Sequence, residues 1–255
     1  MATFANTIFG SVAASGAGRI VLAAVSLAVW TSGVEGGQAA GAPAPSAEKL
    51  ERITAFFNNE VATGKLPGAV VLIQQHGKPV YLKCFGVRDV ATNVPMTADT
   101  IFALHSMTKP ITSVAAMMLI DAGKLWLSDP VSKFIPAFAN EKVGIETTAA
   151  DGSPVLKLVP PNRAVTIMDL LRHTSEISYD YIGGKWIEKA YSDAHIFDGH
   201  FDNKEFAERV AKLPLARQPG TLWRYGYSTD VVGRLIEILS GQTLYQFEKQ
   251  HIFVA

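Results

Sequence analysis

Cysteine is nearly missing from this chain: Cys84 is the single one in 255 residues, which excludes an internal disulfide. It falls in a strand-like run and is expected to be a small buried hydrophobe. An excess of either charge is missing too. Lys and Arg number 23, Asp and Glu also 23, so no basic field exists to neutralise phosphates and nucleic acid is excluded as a partner. The six histidines (His76, His105, His173, His195, His200 and His251) show neither an H-E-x-x-H pattern nor paired ligand spacing; no metal and no cofactor is expected. The apolar run Ile20 to Trp30, broken by Ser26, is too short to span a bilayer, so no stable membrane anchor is expected.

What is present is material for a core. With 48% hydrophobic and 18% charged residues, the composition fits one large domain or two small ones and neither disorder nor a collagen-like repeat. Arg19, the apolar run behind it and the small-x-small site Ala40-Gly41-Ala42 before Pro43 read as an export leader over residues 1–42. The mature domain would then be residues 43–255, in a periplasmic or secreted compartment. Disulfides there are chiefly a need of small domains, so their absence from a large one is no objection.

Along the mature chain, Ser46 is an N-cap for a first helix carried by Leu50, Ile53, Phe57 and Val61 and ending near Gly64. Ala69–Gln75 and Val80–Phe85 are β-rich runs joined by a glycine-containing connection, a hairpin signature. From Ser106 to Ala122 apolar residues recur at three and four with extra apolar surface on other faces, predicting a central helix buried nearly all round and stopped by Gly123. Leu125–Phe138 reads as turns with a short helical piece, Ile145–Val159 as an exposed ribbon around Asp151-Gly152, and Thr166 with Asp169 as the cap of a short helix to His173. The stretch Tyr179–Asp202, with six aromatics and little periodicity, is expected to wall a substrate cleft, the alternative being a surface Ω-loop. Helices follow over Asn203–Leu213, Thr229–Leu239 closed by Gly241, and from Thr243 to near Ile252. A helix on an antiparallel hairpin, followed by a mainly helical stretch, is an α+β arrangement.

The chemistry centres on Ser106-Met107-Thr108-Lys109. A serine hydroxyl that attacks a carbonyl needs a proton acceptor within hydrogen-bond reach, and three residues is about one helical turn, which puts Lys109 on the face of Ser106. Ser46-Ala47-Glu48-Lys49 has the same spacing but lies in a Pro/Ala-rich stretch with no buried wall. Ser106 instead opens an apolar helix, where unpaired N–H groups and the positive dipole end favour a developing oxyanion. A serine and lysine still need a group that returns a proton to the leaving group. The candidate region is Pro219-Gly220-Thr221-Leu222-Trp223-Arg224-Tyr225; by composition alone, Tyr225 and Tyr227 also read as ordinary half-buried aromatics.

Taken together, Ser106-Met107-Thr108-Lys109-Pro110-Ile111-Thr112, Gly123-Lys124-Leu125 with Asp129-Pro130-Val131, Thr166-Ile167 with Asp169-Leu170-Leu171 and His173-Thr174-Ser175, and Pro219-Gly220-Thr221 with Trp223 and Tyr225 resemble the serine β-lactamase-like hydrolases. The resemblance runs from Ala47 to about Ile252 and is closest to class C β-lactamases and the family VIII carboxylesterases that share their fold. It implies an antiparallel sheet flanked by helices plus an all-helical region. It also implies that Ser106 is the acylated nucleophile, Lys109 its proton partner and Tyr225 the tyrosine assisting proton transfer, acting on a small-molecule carboxylic ester or β-lactam.

Three departures from that pattern stand out. Tyr227 occupies the place of an asparagine that would contact a substrate amide, which favours esters; Tyr227-Ser228 is the fallback register for the catalytic tyrosine. Glu176 follows His173-Thr174-Ser175 where glycine is usual, at a turn suited to positive φ. The family's Lys/His-x-Gly strand, a source of one oxyanion-hole N–H, is not reached before Ala255, so the resemblance implies a member lacking its C-terminal strands. Losing one such donor can cost about two to three orders of magnitude in rate. A D-amino-acid peptidase related to penicillin-binding proteins, and a non-catalytic remnant, are the alternative expectations.

Overall fold

The computed structural model describes residues 43–254; the leader expected over residues 1–42 lies outside them. The described chain divides after Thr100 into two compact units. In the first, helix α1 (Ala47–Ala62) starts where expected, with the Ser46 Oγ accepting from the Lys49 N–H at 3.4 Å. Strands β1 (Gly68–Gln75) and β2 (Lys78–Asp89) pair antiparallel around His76-Gly77, and the short β3 (Val94–Pro95) adds to β2. The connection is two residues long, both at positive φ (50° and 74°), the backbone that matches the right-handed twist of the flanking strands.

Alternation along β2 gives this sheet two unlike faces. Tyr81 and Phe85 are buried toward α1: Phe85 stacks on Phe57 with ring centroids 5.2 Å apart, and the Tyr81 hydroxyl meets the Thr54 Oγ1 at 2.9 Å. Lys83 shares that face and donates to Thr54 Oγ1 at 2.9 Å. The opposite face holds the Leu72–Leu82 cross-strand pair, both about half exposed. Cys84 falls on that face and is exposed, which corrects the expectation of a buried cysteine; an even-numbered position on β2 points away from α1.

The second unit is built around helix α6 (Ser228–Ser240), which packs against α2 (Thr108–Asp121), α3 (Ile167–Arg172), α5 (Asn203–Val210) and α7 (Leu244–Glu248). Helix α2 buries Thr112, Ala115, Ala116 and Leu119, spaced at three and four along one stripe. Val114 and Met117, one turn apart, stay 51% and 48% exposed. The helix is therefore not buried all round, as its composition suggested, because one stripe meets the core however many other positions are apolar. Val231, Val232, Leu235 and Ile236 of α6 are fully buried in the same core.

Strands β4 (Val143–Thr148) and β5 (Pro154–Val159) form the expected ribbon around Asp151-Gly152. Its base is anchored, because Val143 is buried and the Gly144 N–H donates to Leu215 O at 2.9 Å. Helix α4 (Lys185–Asp193) interrupts the Tyr179–Asp202 stretch and buries Ile187 and Tyr191. That stretch is thus neither wholly irregular nor a surface loop.

A polar staple fixes the start of α3. Thr166 and Asp169 form a reciprocal capping box, which satisfies two N–H groups that the first helical turn leaves unpaired. Asp169 also accepts from Arg163 at 2.6 and 2.9 Å and from Thr174 Oγ1 at 2.9 Å. Burial opposes its ionisation, but these donors outweigh that and hold it at about 2. Its neighbour Glu141 is buried with no such donor set, and burial together with the Asp169 charge pushes it up to about 8.

The two carboxylates have opposite linkage to pH. A raised folded-state value means stability is intact below the ordinary glutamate range and lost as pH climbs toward 8. A lowered one means stability is intact above the ordinary aspartate range and lost only as pH falls toward 2. Glu141→Gln should therefore match the parent's thermal midpoint at pH 4 and exceed it by several degrees at pH 8, measured by circular dichroism. Equal midpoints at both values would show that Glu141 is ionised without cost.

Candidate active site

Ser106 sits in a short 310 turn, His105–Met107, that leads directly into α2. It is exposed, and its hydroxyl makes no hydrogen bond among the described residues. Lys109 lies in the first turn of α2, half-buried. Burial works against its charge, yet the neighbouring phenols of Tyr179 and Tyr225 and the Asp230 carboxylate outweigh it. The pKa of Lys109 is consequently held above the usual lysine value. Its Nζ stands 5.0 Å from the Tyr225 ring centroid, within cation–π range.

Tyr225 comes to Lys109 from a different element, placed there by a crossing of two irregular segments. After α3 the chain turns at His173, which has left-handed φ of 55°, and runs as His173–Ser178 beside Arg224–Tyr227. The Arg224 N–H donates to His173 O at 2.7 Å, and the Gly220 N–H to Thr174 O at 2.8 Å. At Gly226 the segments touch so closely that a Cβ would collide with the Ile177 carbonyl oxygen. Ser175 Oγ and Ser228 Oγ, both fully buried, close the crossing at 2.8 Å.

Ring contacts then hold the phenol. His173 and Tyr225 lie 4.9 Å apart by centroid, Trp223 and Tyr225 6.1 Å, and Tyr179 meets Tyr225 edge-on at 5.8 Å. Burial, aided by the Lys109 charge, lowers the pKa of His173, so its imidazole is neutral and serves as a wall. Tyr227, the fallback, is elsewhere. It is buried among Tyr179, Tyr191 and Phe206, its hydroxyl has no partner among the described residues, and burial pushes its pKa up. Of these two registers it is Tyr225, not Tyr227, whose ring lies beside Lys109.

Of the expected trio, the structure brings Lys109 and Tyr225 together and puts Ser106 one turn before the lysine. It adds two groups that sequence reasoning did not single out. Tyr179, at the head of the stretch expected to wall a cleft, meets the Tyr225 ring and favours the charge of Lys109. Asp230 is raised by burial and drawn down by Lys109, and it lines with Lys109 a polar cavity of about 280 Å³. A carboxylate in the first turn of a helix whose next five residues carry no charge but Arg234 was the signal for it. Among the described residues no group of three or more His, Cys, Asp or Glu side chains is placed to hold a metal ion.

Comparison with known proteins identifies the family and the fold. The chain is 34% identical to Esterase EstB of Burkholderia gladioli over 203 residues, covering 78% of this chain and 47% of the esterase. Among solved structures it is similar to EstCE1, a hydrolase with promiscuous acyltransferase activity, at TM-score 0.66 and 29% identity, covering 80% of this chain and 50% of that one. It is also similar to simvastatin synthase LovD of Aspergillus terreus, at TM-score 0.68 and 26% identity, covering 81% and 51%. The chain thus spans about half the length of the relatives it matches. The Beta-lactamase family model matches residues 53–255, and the chain belongs to that family, with the β-lactamase/transpeptidase-like fold.

Proposed function

We propose that this chain carries the nucleophile half of a serine esterase that works through an acyl-enzyme on Ser106. The observation that carries the reading is the convergence of Lys109 and Tyr225, from two separate elements, one turn from an exposed serine at the start of a helix. Ser106 Oγ attacks the ester carbonyl and its proton passes to the Lys109–Tyr225 pair, which takes it up as a unit. The Ser106 N–H, at the open end of the turn, is one donor to the tetrahedral oxyanion. Collapse breaks the bond to the alcohol oxygen, the pair returns the proton to that alkoxide, and water then releases the carboxylic acid from Ser106.

Esters are favoured over β-lactams by Tyr227. It occupies the place of the asparagine expected to hold a substrate amide, and its side chain is buried in an aromatic cluster rather than turned toward Lys109. Transfer of the acyl group to an alcohol instead of water is the second reading, supported by the promiscuous acyltransferase activity of EstCE1. An exported location remains part of the proposal, resting on residues 1–42.

Intact mass after exposure to a fluorophosphonate tests the nucleophile. One adduct is expected on the parent and none on Ser106→Ala; no adduct on a folded parent chain would overturn the reading. The rate of adduct formation tests the pair. Tyr225→Phe should slow it roughly a hundredfold, the usual scale for loss of a proton-transfer group, whereas Tyr227→Phe should leave it within about twofold of the parent rate, well short of that scale. The reverse order would move the role to Tyr227.

A further inference from the structure

Glu176 is placed at a cost on three counts. Its φ of 68° is a left-handed conformation that glycine adopts freely and a side chain resists. Its carboxylate is fully buried, where charge is disfavoured unless paired. Its Oε1 has no partner among the described residues. The resemblance in sequence leads to glycine here, which would avoid all three.

What the glutamate contributes is an ion pair. Its Oε2 accepts from Arg224 Nε at 2.9 Å, with the arginine side chain only 10% exposed. Arg224 is the residue before Tyr225. In the stretch 223–225, the Trp223 and Tyr225 rings stack on each other beside His173, while Arg224 points the other way, toward Glu176. The same Arg224 is tied through its N–H to His173 O. One residue is thus held at its backbone and at its side chain by a single short segment, His173–Glu176.

We propose that the Glu176–Arg224 pair is an orienting brace for Tyr225. Two anchors on Arg224 prevent the stretch from rotating about its own axis, and the direction in which Tyr225 projects is thereby set toward Lys109. Both are positioning residues: neither touches the reacting atoms, and their effect passes through the phenol. The proposal rests on Tyr225 as the proton-handling tyrosine, so its test includes a readout that needs no turnover.

The chain is labelled with 13Cζ-tyrosine, and the Tyr225 signal is assigned by its loss in Tyr225→Phe. In Glu176→Gly and Arg224→Lys that signal should shift or broaden while the signal of Tyr227 stays in place. Fluorophosphonate acylation of Ser106 should slow by about tenfold, the scale of a small misplacement of a catalytic group, with the half-saturating concentration unchanged. Glu176→Gln, whose amide oxygen still accepts from Arg224, should recover most of the parental rate. A folded Glu176→Gly or Arg224→Lys chain with the parental Tyr225 signal and rate would overturn the brace. If Glu176→Gly does not fold, Arg224→Lys decides. If the parent forms no adduct, the enzymatic reading fails, and the Tyr225 signal still decides the brace.

Discussion

The second unit depends on a contact between two pieces of backbone, where the Ile177 carbonyl lies against Gly226 with no room for a side chain. Segments that run side by side can slide, and a slip of one residue would exchange the sides on which neighbouring side chains fall. This close approach, with the Arg224 N–H on His173 O and the Ser175–Ser228 hydroxyl pair, pins the register. Tyr225 then falls on the side of Lys109 and Tyr227 in the buried aromatic cluster. The choice between two tyrosines two residues apart is made by register rather than by anything local to either.

That register is held from outside by polar groups. Asp169, capped to Thr166 and paired with Arg163 and Thr174, fixes where α3 begins and where the segment after it sets out. Arg163 in turn lies against Gly220 so closely that a Cβ there would strike its guanidinium, which ties the Pro219-Gly220 turn to the same point. Both segments therefore start from one charged cluster, and their crossing follows from it. Buried charge is costly unless compensated; here the compensation comes from Arg163 and Thr166 before the carboxylate and Thr174 after it, which makes the cluster a positional constraint as well as an electrostatic one.

The Lys109 ammonium sits at the other end of this arrangement. Groups from three places in the chain, Tyr179, Tyr225 and Asp230, favour its charge, and His173 lies beside the Tyr225 ring. A cation half-withdrawn from water is stable there because each partner is delivered by a different element. The site is thus a product of packing among α2, α6 and the two irregular segments, and no single stretch of sequence contains it.

Much was nonetheless legible in advance. Caps at Ser46, Thr166 and Thr243, the hairpin around Gly77, the stops at Gly123 and Gly241 and the serine–lysine spacing are local effects, decided by neighbours within about one helical turn, and motif order was enough to indicate the family. Three things were decided only in the folded chain. Cys84 is exposed because strand alternation, not hydrophobicity, sets its face. Helix α2 keeps Val114 and Met117 outside because a helix offers one stripe to its core. Tyr179, Asp230 and the Glu176–Arg224 pair acquire their roles from partners 48 to 121 positions away in sequence, and contacts at that separation leave no periodic or local trace for a sequence to display.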